Sequence, residues 1–463
     1  MPLPSVEEST ARGRAARAEA PRSAHGTLAP HPGRPDPVAL IERQAETRVP
    51  ELVPIRHGRM LASPFAFFRG AALIMAADLA TMPHSGLRVQ LCGDAHLSNF
   101  GVFASPERRL VFDLNDFDET LPGPWEWDVK RLAASLAVAG RDNGFGTADR
   151  AQIVVTAMRS YREAMRAFAV MGTLDVWYAH LEVEPLLDQI GSEIGPKDRR
   201  RVERDLARAR TRDNLHSYSK LTHLVDGEPR IAADPPLVVP AEEIVPGATA
   251  VAMAAVVRGF MRGYQRSLET DRRALLDQFR FVHLAHKVVG VGSVGTQTWI
   301  ALLVGRGNED PLLLQIKQAQ ASVLEEFAGA SAYANHGQRV VAGQRLMQAT
   351  SDIFLGWRRM TGPDGKSVDF YARQLKDWKG SVTVEDMAPR HMAAYGRMCG
   401  WTLARAHARS GDRVAIAAYL GGGDSFDRAL AVFAEAYAER NERDHAEFAA
   451  AVESGRVAAL PGV

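Results

Sequence analysis

Cysteine is nearly missing from this sequence. Cys92 and Cys399 are the only two among 463 residues, which supplies neither a disulfide framework nor zinc-binding spacing. A reducing compartment suits such a chain. Net charge is nearly missing as well. The 56 basic residues stand against 55 acidic ones, so nothing global pulls the chain toward nucleic acid or a membrane surface. Long apolar runs are lacking too. FAFFRGAALIMAADLA, from residue 65, is interrupted by charge and too short to span a bilayer. The early stretch ESTARGRAARAEAPRSAHG holds no apolar segment of a secretory signal. There is no internal repeat. These absences predict a cytoplasmic protein without nucleic-acid or membrane partners; none of them speaks to oligomeric state.

What is present is enough apolar material, 46% of residues, to bury a real core. The length corresponds to two or three domain-sized units. Residues 1–38, rich in Ala, Arg, Pro and Gly, predict a disordered tail. Residues 39–285 read as mainly helical. A helix is expected from Pro37, and another from Ser63-Pro64 to about Met82, where a Ser cap precedes a Pro at the first helical position. The basic stretch KDRRRVERDLARARTR, from residue 197, interleaves Glu and Asp and fits a solvated helix face. Residues 286–376 change texture to β-rich runs. Within them TGPDGKS marks a hairpin between SDIFLGW and DFYARQL. Residues 377–463 return to helix.

One stretch inside the helical part looks unlike packing. LCGDAHLSNFGVFASPERRLVFDLNDFDE, residues 91–119, carries Asp94, His96, Asn99, Asp113, Asp116, Asp118 and Glu119 between two short apolar runs. VFASPERRLVFD reads as strand, Ser-Pro turn and strand. Grouped carboxylates repel one another unless a cation or a catalytic task offsets the repulsion. Downstream, Asp128 is placed to cap or brace. Upstream, Arg56, Arg59 and Arg69 sit among apolar residues, to bind phosphate, to pair with the acidic cluster, or to make ordinary surface or structural ion pairs.

A second constellation lies far downstream. Gly290, Gly292, Ser293 and Gly295 belong to a G-x-G-x-x-G turn. In a dinucleotide fold such glycines open a helix. Here β-branched and aromatic TQTWIALLV follows, and the next strand, LLLQIK, ends in Lys317. A glycine hairpin over nucleotide phosphates, with a strand lysine reaching them, fits better. Glu325 or Glu326 is the candidate partner for Lys317.

These residues resemble a known superfamily. CGDAHLSNFG followed by LVFDLNDFDE is similar to the catalytic and metal-binding loops of kinase-like proteins, in particular the aminoglycoside-phosphotransferase branch with its His-Gly-Asp-x-His-x-x-Asn loop. Cys92 stands where that branch has its first histidine. The resemblance makes Asp94 the catalytic base, His96 the second histidine, and Asn99 with Asp113 or Asp116 the Mg2+ ligands. The glycine turn, Lys317 and Glu325 or Glu326 resemble the nucleotide-holding parts. FYARQL resembles the strand into the hinge, and TLARAH the Leu-Ala-x-x-His helix after it. The order departs from the pattern, because the catalytic loop precedes the glycine loop. The implied fold is α+β, bilobal and circularly permuted: a mostly helical lobe first and a small antiparallel-sheet nucleotide lobe after. SPFAFFRG, CGDAHLSNFG, FDLNDFDE and GSVGT also resemble an uncharacterised bacterial family, domain of unknown function family 2252. The expectation is an ATP- and Mg2+-dependent phosphotransferase acting on an unidentified hydroxyl acceptor. AMP transfer on the same fold and nucleotide binding without catalysis stay open. A metallophosphoesterase is disfavoured for want of separate His and Asn-His blocks.

Overall fold

The computed structural model describes residues 4–462 apart from 29–31, 186–194, 212–213, 245–249, 289, 293, 362–365, 376 and 381. It is an α+β protein, and every strand pairing among the described residues is antiparallel. Among those residues no helix is long and apolar enough to cross a membrane.

The helical part is built around Trp125–Asp142, whose side chains are buried almost without interruption. Small residues let the helices Thr147–Val170, Pro389–Ser410 and Ser425–Glu453 close around it into one apolar core. The expected start at Ser63 holds: its Oγ accepts from Ala66 N at 3.1 Å and opens the helix Pro64–Gly70. That helix breaks at Ala71 before a second one, Ala72–Ala80.

The stretch expected to be a disordered tail is largely ordered. Val6–Glu19 is a helix with a reciprocal capping box between Ser5 and Glu8. Its stripe of small residues packs on the helix Arg413–Leu420. A Cβ on Gly13 would lie 2.0 Å from the Ala415 carbonyl oxygen, so only glycine permits this approach. Arg17 and Arg22 then donate to the last carbonyls of that helix, those of Ala418, Tyr419 and Leu420. The Ala, Arg and Gly content that suggests disorder is here a close-packing and capping device.

The larger sheet has six strands in the order Gly356–Thr361, Ser367–Gln374, Pro311–Ala319, Thr298–Val304, Arg280–Lys287 and Val238–Pro240. Both faces are covered. Leu312, Leu314 and Ile316 meet Phe260 and Tyr264 on one side; Ile300, Leu302 and Leu313 meet Ile231 and Val238 on the other. Two expectations are corrected. Residues 280–285, expected in helix, belong to the strand Arg280–Lys287, and Val238–Pro240 joins the same sheet, so the sheet reaches back before residue 286. The run Ile353–Leu355 is no strand. Asp352 caps it as a turn by accepting from Phe354 N at 2.7 Å and Gln374 N at 3.0 Å, and the strand begins only at Gly356. The stretch expected to be helical also holds a hairpin, Thr222–Val225 with Glu228–Ile231, closed by Asp226-Gly227 with both φ positive.

Candidate functional site

The acidic stretch folds as its pattern predicts. Phe100–Ala104 pairs antiparallel with Leu110–Leu114. The loop before it is tight. Gly93 has φ +87°, and a Cβ there would lie 2.2 Å from the Glu119 carbonyl oxygen, so the two ends of the stretch touch. Asp128, in the first turn of Trp125–Asp142, accepts from Cys92 N at 2.8 Å and Gly93 N at 3.0 Å. Its carboxylate also meets His407 Nε2 at 3.3 Å, and His407 is held by the Tyr161 hydroxyl at 2.9 Å. The bracing role expected of Asp128 is what the geometry gives.

The loop presents Asp94, His96 and Asn99 to a cleft of about 450 Å3. Arg131, one turn beyond Asp128 on the same helix, donates from Nε to Asp94 Oδ1 at 2.8 Å, stacks on Phe68 and donates to the Phe68 carbonyl. His96 Nε2 lies 3.6 Å from Asp94 Oδ2, and its Nδ1 has no partner. Burial raises the Asp94 pKa to about 6 despite Arg131. Burial, with Arg69 and Arg131 nearby, pushes His96 well below the usual histidine value, so its ring is neutral at pH 7. Asn99 Nδ2 donates to the Asp94 carbonyl at 2.8 Å, tying the loop to itself.

The glycine-rich turn arrives from the sheet. It joins Arg280–Lys287 to Thr298–Val304, two antiparallel neighbours, and opens no helix. Gly290 and Gly295 have φ +67° and +89°. Gly290 and Gly292 line the same cleft as Asp94. Ser293 lies outside the described residues. The turn is anchored on the helical part: Val49 N donates to the Gly295 carbonyl at 2.7 Å, Arg48 to that of Val294, and Arg59 to that of Gly290.

Lys317 is buried near the end of its strand and donates to Asp118 Oδ2 at 2.5 Å, with Asp116 Oδ2 at 4.0 Å. The Tyr371 hydroxyl donates to the other Asp118 oxygen at 2.5 Å. Burial opposes the lysine's charge, but Asp116 and Asp118 outweigh it and hold its pKa above the ordinary range. Neither expected glutamate partners this lysine. Glu325 accepts from Ser322 N and Ser331 N at 3.1 and 3.2 Å, bracing its own loop. Glu326 pairs with Arg43 at 2.7 Å at the rim. The helix Glu325–Ala328 is a single turn, too short to aim either group back at the sheet.

Asp113 and Asp116 have different surroundings. Asp113 is buried in a two-oxygen ion pair with Arg405 at 2.6 and 2.8 Å and accepts from Ala349 N at 2.8 Å. Its lone pairs are engaged by these groups, whereas Asp116 lines the cleft. Glu119 lines it too, accepting from Val323 N at 2.7 Å, and burial raises its pKa to about 7. Arg339, from the helix His336–Met347, donates to the carbonyls of Thr120, Asp118 and Gln320 and staples the acidic loop to the sheet. Among the described residues no three His, Cys, Asp or Glu side chains form a ready-made metal site.

Over residues 48–451 the chain matches the family model described as "Uncharacterized protein conserved in bacteria" (DUF2252). The chain belongs to this family. No curated protein and no solved structure matches it. In this DUF2252 member, the matched region contains every cleft residue named above except Arg43. Sequence reasoning missed three of the groups that matter: Asp118 as the lysine's partner, Arg131 as the support of Asp94, and Arg48 behind the glycine turn. Arg131 had a signal, since its spacing of three from Asp128 puts both on one helix face. Asp118 and Arg48 had none, because each acts on an element distant in sequence.

Proposed function

We propose that this protein is a kinase-like, circularly permuted phosphotransferase that uses ATP and Mg2+ on a hydroxyl-bearing acceptor. One observation carries the reading. Asp94, Asn99, Asp116 and Asp118 share a cleft with Gly290 and Gly292, and Asp118 pairs with the buried Lys317, 199 residues away in sequence and next to the lining residue Gln318. A catalytic-loop pattern and a glycine loop with its lysine would each be weak alone; their convergence supports a split nucleotide site.

In this reading Asp94 takes the proton of the acceptor hydroxyl as its oxygen bonds to the γ-phosphorus, and the bond to the ADP oxygen breaks. Arg131 orients the carboxylate. Lys317 holds the phosphates, with Asp118 in place of the usual helix glutamate, and the glycine turn covers them. Asn99 and Asp116 would hold Mg2+, which neutralises phosphate charge when bound. One carboxylate, one amide and substrate oxygens are a donor set this ion accepts, because it keeps waters and shares substrate phosphates. The Asp94→Asn variant is expected to lose turnover by ~100-fold or more, as removal of a general base does, while still binding nucleotide. ATP consumption at the wild-type rate in that variant would sink the assignment. Mass spectrometry of the modified acceptor separates added phosphate from added AMP.

A further inference from the structure

The cleft carries both signs of charge. Besides its carboxylates, Arg48, Arg56 and Arg69 line it together with Gly290 and Gly292 of the glycine turn. Arg56 is fully buried. Its Nη2 donates to Gln44 Oε1 at 2.6 Å and the Gly70 carbonyl at 2.9 Å, but Nε and Nη1 have no partner. Arg48 is 9% exposed; it donates to the Val294 carbonyl, and its Nε is unpartnered. Arg69 Nε is likewise buried and unpartnered. Among the described residues no carboxylate lies within ion-pairing distance of these three. Elsewhere Arg34, Arg131, Arg162 and Arg405 each meet an Asp.

A buried guanidinium without an anion is strongly unfavourable. Arg48 and Arg56 each spend one nitrogen on a neutral oxygen of the fold and leave others unpartnered, and Arg48 further disfavours the charge of Arg56. Buried guanidinium N–H groups without partners, on three residues that line one cleft, are donors that a phosphate group would satisfy. We infer that Arg48, Arg56 and Arg69 form a phosphate-binding subsite at the glycine-rich end of the cleft. This deepens the phosphotransfer reading, and rests on it only in assigning the phosphate to a nucleotide tail or to a phosphorylated acceptor.

The test uses the full chain, with inorganic phosphate and tripolyphosphate as probes, in calorimetric melting and direct titration. Tripolyphosphate is expected to raise the wild-type melting temperature by mass action. Arg56→Met is expected to melt no lower than wild type without ligand, since an unpaired buried charge is gone, and to bind tripolyphosphate at least about tenfold more weakly. Arg69→Met, at a less buried position, gives the same reading should Arg56→Met fold poorly. Saturating ATP that abolishes the effect of phosphate assigns the subsite to the nucleotide tail; a phosphate effect that persists on top of ATP assigns it to the acceptor. No stabilisation by either probe, or unchanged affinity in both variants, overturns the subsite. Nucleotide binding that survives in the arginine variants while the probes do nothing would leave the nucleotide reading standing alone. Tripolyphosphate binding without any nucleotide binding would do the reverse.

Discussion

The two neighbouring aspartates of the acidic hairpin have separable jobs. Asp113 is closed off by Arg405 and Ala349 N, whereas Asp116 faces the cleft. Replacing Asp113 with Asn removes one partner of a buried ion pair, so Asp113→Asn is expected to destabilise the fold by about 3–5 kcal/mol. Asp116→Asn should destabilise the fold much less, because Asp118 still pairs with Lys317, and remove activity. Denaturant melts and turnover on both variants check this; equal stability loss in the two would contradict it. Glu119 offers a pH test. Burial raises its folded pKa from 4.5 to about 7, so between about pH 4 and pH 7 the native state binds more protons than the unfolded chain. Its contribution is therefore most favourable at low pH. It is lost as pH rises through that window, fully so above about pH 7. Glu119→Gln should melt above wild type at pH 8 and converge with it near pH 4. A gap that is the same at both values would show that the carboxylate is not desolvated.

At the level of elements, period and turn chemistry carried most of what was legible. The hairpin from Phe100 to Leu114, the helix from Ser63 and the glycine turn between strands follow from local signals. What escaped was set by tertiary contact. RFVHLAHK alternates as a strand should, but its two histidines disguise the apolar face until His283 is buried in the sheet. The hairpin at Asp226-Gly227 was legible and outweighed by its helical surroundings. The amino-terminal helix is intrinsically weak and is held by docking, which composition does not reveal. Its one glycine gives an expected outcome: Gly13→Val forces a side chain against the Ala415 carbonyl and should destabilise by about 1–3 kcal/mol. A melting temperature equal to that of wild type would mean that this helix does not dock.

Over the whole molecule, the candidate site exists only because two distant parts of the chain meet. Asp94 and Asn99 come from the helical part; the glycine turn and Gln318, which line the same cleft, and Lys317, which pairs with Asp118, come from the sheet. Sequence supplied the members of each half but paired Lys317 with the wrong carboxylates, because the contact between Asp118 and Lys317 spans 199 residues. The most direct test of the split nucleotide site is the melting temperature of wild type and Lys317→Ala across a nucleotide series, with and without Mg2+. A selective rise with ATP and Mg2+ in wild type, absent or much reduced in Lys317→Ala, is the result the split site requires. No shift with any nucleotide, or an equal shift in both proteins, would contradict it.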